Sequence, residues 1–175
     1  VYRKVAGASE TGPYSWTFSC TGSCTTVGFQ AATGGIVSFS GVDTGNPIDV
    51  EGGNCTLQGS CATQTSNHAT PSVTTTVPNT MLVTSHSFSS PRPWTPPTGM
   101  TEAVDIVTVN LSTEINYVLQ AAAGATGTKT ASATGDDDVG NAHILALKPG
   151  GSCPVLAEGM GPEAGERSEE HTSEL

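Results

Sequence analysis

The sequence predicts an all-β domain, an antiparallel jelly-roll-like β-sandwich, and three observations carry that expectation. The chain is rich in threonine, valine and serine and is punctuated by 21 glycines and 11 prolines, a mix that favours short strands joined by turns over long helices. Several runs alternate with a period of two, the mark of a strand with one face in a core. The plainest is EINYVLQ (residues 114–120), where Ile115, Tyr117 and Leu119 alternate with Asn116, Val118 and Gln120. Turn signals recur at spacings that leave about eight or nine strands, the number a sandwich needs. At 175 residues, 35% hydrophobic and 5% aromatic, the chain has room for one domain with a modest core.

Taken in order, residues 1–6 (VYRKVA) read as a strand and 7–13 as a turn. Residues 14–19 (YSWTFS) read as a second strand that places Tyr14, Trp16 and Phe18 on one side. The pair makes a hairpin whose aromatic row fills the core. Such a row can also serve as a sugar-stacking platform, but three alternating aromatics more often fill a buried sheet face. A strand follows at 35–40, a turn at 41–46 before Pro47, and a short extended piece at 47–50. The Gly/Cys/Ser-rich residues 51–67 read as a mobile excursion. Residues 70–76 are extended, with Pro71 suiting a strand start or an edge. Residues 80–88 (TMLVTSHSF) form a strand, and 89–99 (SSPRPWTPPTG) carry too many prolines for a central one. Strands at 101–109, 114–120, 128–133 and 142–148 complete the domain, with an acidic Gly/Asp turn at 135–140.

The formal net charge is −10, and the six Lys and Arg residues are scattered. Without a basic patch, nucleic acid is not expected as a partner. It has no apolar run of about 20 residues and therefore no membrane span of the helical kind. Cys20 with Cys24, and Cys55 with Cys61, lie in turn-like segments. Each pair fits a local disulfide in an oxidising compartment, or two free thiols. A zinc site built from all four is a third option, although the spacings are looser than those of zinc-ribbon knuckles.

The chain starts at Val1 with a strand already in progress, so the sandwich is expected to be incomplete at its N-terminus. Residues 150–166 lack periodicity and are expected to be a disordered tail. Residues 167–175 (RSEEHTSEL) match in full the in-frame translation of a common sequencing adapter and are set aside. The expected domain is therefore 1–149.

The runs YSWTFS, GGIVSFSGVDTGNPIDVEGG, ATPSVTTTVPNTMLVTSHSF, WTPPTGMTEAVDI and INYVLQAAAGATGTKTASA…HILALKP resemble one bacterial β-sandwich module. That module occurs in large secreted or surface-associated proteins, often among immunoglobulin-like and other repeat domains. The resemblance spans Val1 to Pro149. It implies a jelly-roll-like sandwich, an extracellular or cell-surface setting and neighbouring domains of a larger protein as partners. It supplies no reaction and no ligand. Similar modules carry further residues ahead of VYRKVAGASE, including an early strand or two, and most lack the two cysteine pairs.

Candidate chemistry is sparse. His68, His86 and His143 could serve a Ser/His/Asp hydrolase, but no G-x-S-x-G elbow exists. Asp43, Asp49, Glu51, Glu102, Asp105 and Glu114 could supply the two acids of a glycosidase, and nothing in their spacing selects a pair. Asp136, Asp137 and Asp138 form a turn cluster of the kind calcium favours, without the EF-hand pattern. Trp94, held between prolines, is the candidate sugar-stacking residue; the competing reading folds it back as a lid over one end of the sandwich. The expectation is a non-catalytic structural or adhesive module. The alternative is a carbohydrate-binding module that recognises glycans with the help of calcium.

Overall fold

The computed structural model describes residues 1–16, 32–55, 61, 63–151 and 155–158. Among them the regular structure is entirely β. The strands are β1 (Ser38–Ser40), β2 (Ile48–Cys55), β3 (Asn67–Ala69), β4 (Thr74–Thr75), β5 (Thr80–Phe88), β6 (Thr101–Val107), β7 (Ser112–Gln120), β8 (Gly124–Ala125), β9 (Thr130–Ser132), β10 (Gly140–Leu147) and β11 (Leu156–Glu158). Every pairing is antiparallel. A five-stranded sheet in the order β2-β10-β5-β7-β6 is accompanied by three two-stranded pairs, β1-β11, β3-β9 and β4-β8. Among the described residues no helix is long and apolar enough to cross a membrane.

β5 occupies the middle of the large sheet because both of its faces can be buried. Met81 and Val83 point to one side, and Leu82 and Phe88 to the other; all four are buried. The register aligns Val83 with Leu145 and Tyr117. These residues, with Ile115, Val104 and Leu147, form an apolar face on which Phe39 and Val155 pack. Phe39 meets Tyr117 edge-on at 6.1 Å. The β1-β11 pair thus covers this face.

The opposite face is mixed. Registered across the sheet, one row runs Ala142, His86, Glu114, Asp105, and the next runs Ile144, Thr84, Asn116, Glu102. Segments carrying β3, β9, β4 and β8 cover it, helped by the Pro-rich loop. Thr95 pairs with Ser132 of β9 through two backbone hydrogen bonds of 2.7 and 3.0 Å. Two glycines of the large sheet let this layer approach. A Cβ on Gly140 would meet the Ser87 carbonyl, and would lie 2.7 Å from His68 Cε1 and from Phe88 Cβ; one on Gly52 would lie 2.9 Å from Val73 and 3.0 Å from Pro71.

The structure corrects several sequence expectations. Residues 1–16 form no strand: Tyr2 is 87% exposed, and Tyr14 and Trp16 are 42% and 51% exposed. Their alternation has no neighbouring ladder to pair with among the described residues. The segment is tied locally instead, through Glu10 to the Gly7 amide and to Lys4. Phe18 lies outside the described residues. The mobile excursion at 51–67 is sheet at both ends, because residues 51–55 pair with β10 and Asn67 begins β3. The tail expected at 150–166 is also sheet in part. β11 pairs with β1, and Val155 is fully buried in the core, so the domain runs past Pro149. The strand expected at 101–109 stops at Val107, where Thr108 accepts and donates hydrogen bonds to Leu111 and turns the chain.

Candidate functional site

A group of ionisable side chains lies on the mixed face of the large sheet. β5 supplies Thr84 and His86, β7 supplies Glu114 and Asn116, and β6 supplies Glu102 and Asp105. Residues three apart on a regular strand face opposite ways. A bulge in β6 between Glu102 and Val104 adds one residue and restores both acids to the Glu114 side. Bulges re-aim side chains in this manner.

The centre of the group is dry. His86, Glu114, Asn116 and Thr84 are fully buried, whereas Glu102 and Asp105 on the edge strand are exposed. Nδ1 of His86 lies 3.9 Å from Oε2 of Glu114. Its Nε2 is 3.3 Å from the Lys129 carbonyl of the covering layer. Within the described chain neither Glu114 oxygen, neither polar atom of the Asn116 amide and not Nδ1 of His86 has a hydrogen-bond partner. Burial pushes the Glu114 carboxyl up to about 7; the adjacent Asn116 amide opposes the shift, and the Glu102 and Asp105 carboxylates add to it. Burial also depresses His86 to about 4, against the pull of the Lys129 carbonyl and with His68 adding to the shift. His68 is lowered too, chiefly by burial. The chemistry available is that of a neutral imidazole beside a carboxyl that resists ionisation. Neither His86 nor Glu114 has solvent-exposed surface; a surface depression of about 210 Å³ is lined by Pro97, Thr98, Thr128, Lys129 and Thr130.

Trp94 is not an exposed platform. It is 6% exposed and wedged against Phe88 at 4.8 Å, His68 at 5.2 Å and His86 at 5.9 Å between ring centroids. Its amide donates to Asp105 Oδ2 at 3.1 Å, and the Thr95–Ser132 bridge fixes the next residue. The prolines around it present the ring inward, which is the lid reading and removes Trp94 as a sugar-stacking residue.

The aspartate turn does not converge either. Asp136 faces Arg92 at 3.6 Å, and Asp137 is exposed. Asp138 accepts hydrogen bonds from Ser90 Oγ at 3.1 Å and from the Val139 amide at 2.7 Å. Among the described residues no three His, Cys, Asp or Glu side chains are placed to hold a metal ion, so the run does not form the calcium cluster expected of it. Asp136 and Asp138 turn to separate partners, and Asp137 is exposed.

Cys55 and Cys61 form a disulfide with a Cα–Cα distance of 4.9 Å, which removes the four-thiolate zinc option. Cys20 and Cys24 lie outside the described residues. His143, on the apolar face's side of β10, sits 3.7 Å from Glu51 and takes no part in the buried group. The sequence places Glu102, Asp105 and Glu114 among six candidate acids and His86 among three candidate histidines, and its spacing joins no pair of them. Their shared polar parity in TSHSF and STEIN was the available signal, and it needed the strand register to be read. No protein-family model, curated protein or solved structure matches the chain.

Proposed function

We propose that this chain is a non-catalytic structural or adhesive module, of jelly-roll-like connectivity, from a secreted or cell-surface bacterial protein in which it is flanked by other domains. The observation that supports this most is the burial of the His86–Glu114 group. A catalytic acid or base must come within hydrogen-bond reach of its substrate, and Glu114 and His86 are fully buried beneath a hydrogen-bonded second layer. The Cys55–Cys61 disulfide suits an oxidising compartment. Protease shaving of intact cells that carry the gene tests the setting. Release of peptides from this domain is expected, and their retention inside the cell overturns the surface assignment. A panel of glycoside, ester and peptide substrates tests the lack of catalysis: turnover that disappears in a Glu114→Gln variant overturns it.

A carbohydrate-binding reading keeps one specific support. Tyr14 and Trp16 are exposed, with ring centroids 6.2 Å apart and planes tilted by 34°, and Lys4 sits 5.4 Å over the Tyr14 ring. Aromatic pairs of this kind stack on sugars. Glycan-array binding that is lost in Trp16→Ala supports this reading, and a flat array with and without calcium removes it.

A further inference from the structure

We propose that the fold holds Glu114 as a neutral carboxylic acid directed at Nδ1 of a neutral His86, and that this uncharged pair is a pH-operated latch between the large sheet and the layer that covers it.

The argument begins with the tautomer. His86 Nε2 lies 3.3 Å from the Lys129 carbonyl. A carbonyl only accepts, so the imidazole carries its proton on Nε2 and presents a lone pair at Nδ1. The atom facing that lone pair is Glu114 Oε2, at 3.9 Å. An ionised carboxylate there sets acceptor against acceptor. A carboxylic acid supplies the O–H donor that Nδ1 needs, and a closure of about 1 Å completes the bond. The alternative, imidazolium against carboxylate, places two charges at zero exposure with both Glu114 oxygens otherwise unpartnered, a costly arrangement.

The surroundings also favour the neutral form. On β6 the facing charged groups are Glu102 and Asp105, both acidic. On β3 it is His68, whose own ring is kept neutral by burial. β10 contributes only Ala142, Ile144 and Ala146 to this face, and the loop over 94–100 contributes Trp94 and Met100. The segment 128–132 brings Lys129, whose backbone carbonyl meets His86 Nε2, and on β7 itself the Asn116 amide works the other way, favouring the ionised carboxyl. The directions of the Glu114 and His86 shifts agree with this assignment.

The latch follows from where the pair is anchored. His86 holds Lys129, next to β9, and its ring lies against Trp94. When Glu114 loses its proton to solvent, a buried anion forms beside Asp105 and Glu102 and opposite a lone pair. Admission of water relieves it, and the side that can part is the covering layer over residues 94–100 and 128–132, which the His86–Lys129 and Trp94–Asp105 hydrogen bonds tie to the sheet.

The test uses uniformly ¹³C,¹⁵N-labelled full chain. The Glu114 side-chain carboxyl carbon is expected at its protonated shift near pH 6 and to titrate close to neutrality, with His86 as the Nε2–H tautomer throughout. Backbone amide exchange at residues 130–132, corrected for its intrinsic pH dependence, is expected to accelerate about tenfold between about pH 6 and about pH 8.5, and not to do so in Glu114→Gln. A Glu114 carboxyl that is ionised near pH 6, or an imidazolium signature at His86, overturns the neutral pair, and the wild-type titration reads this even if the variant does not fold. Exchange that stays level across neutrality overturns the latch.

Discussion

Replacing Glu114 with glutamine should change stability in a manner that depends on pH, and the size of the change follows from the burial of the carboxyl. Glu114 is raised from 4.5 to about 7 in the fold. The protonated group is favoured by folding, so its contribution is fully present below the unfolded value and is lost as pH rises through the folded one. The shift amounts to about 3 kcal/mol. His86 moves the other way, from 6.5 to about 4. Its contribution is present above the unfolded value and is lost as pH falls toward the folded one, again by about 3 kcal/mol. Between about pH 4.5 and about pH 6.5 the two slopes oppose each other. Folding there takes up a proton at one site and releases one at the other, and the wild type hides both effects. The difference in unfolding free energy between Glu114→Gln and wild type should therefore rise by about 3 kcal/mol from pH 4.5 to pH 7. For His86→Gln the difference should fall by a similar amount from pH 4 to pH 6.5. Urea titrations at half-unit pH steps measure both curves, and differences against wild type cancel the remaining carboxylates. A Glu114→Gln difference curve that is level, or that falls with pH, refutes the reasoning, because it means that Glu114 is ionised in the folded protein.

Four further outcomes are expected. Trp94→Ala should destabilise the fold by about 3–5 kcal/mol through loss of a buried aromatic while leaving any glycan-array signal unchanged; thermal melts and the array read the two halves. Gly140→Ala should cost about 1–3 kcal/mol, because its Cβ has no room between Ser87, Phe88 and His68; urea midpoints check it. Asp49→Ala removes the acceptor of the Thr76 amide at 2.7 Å and of its hydroxyl at 2.5 Å. A loss of about 1–2 kcal/mol with faster exchange at Thr76 is the expected reading. Reduction of the Cys55–Cys61 bridge, whose loop is short, should cost about 2 kcal/mol on the chain-entropy estimate, seen as a lower melting temperature in reductant.

The strands whose boundaries the sequence marks best are the long central ones. TMLVTSHSF (80–88) was bounded correctly because Asn79 and the Ser/Pro run flank it, and the strands at 114–120 and 142–148 were found within about two residues, the usual uncertainty of strand ends. What alternation could not convey is that the polar side of these strands is buried as well. Asn116 and Glu114 look solvated in a list of residues, yet the second layer that covers them comes from short pairs such as β3-β9 and β4-β8, too brief to show a period. VYRKVA and the described start of the next run, Tyr14–Trp16, misled for the opposite reason: a strand pattern is a capacity to pair, and pairing also needs a partner. Trp94 lies between prolines, but local stiffness does not say which way a ring points. The aspartates at 136–138 share a turn, and sharing a turn did not make their carboxylates converge.

The bulge in β6 has a consequence for how the chain tolerates changes in length. Ala103 is the residue without a partner in the β6–β7 register, which passes from Glu102–Asn116 to Val104–Ile115. Its deletion would leave a regular ladder with Thr101, Glu102, Val104 and Asp105 all on their present sides, at the cost of one small apolar contact. Removal of any single residue from the middle of β5 or β7 would instead send every side chain on one flank of the gap to the wrong face. Single-residue deletions along residues 80–120 should therefore be lethal to folding in both central strands and survivable at Ala103.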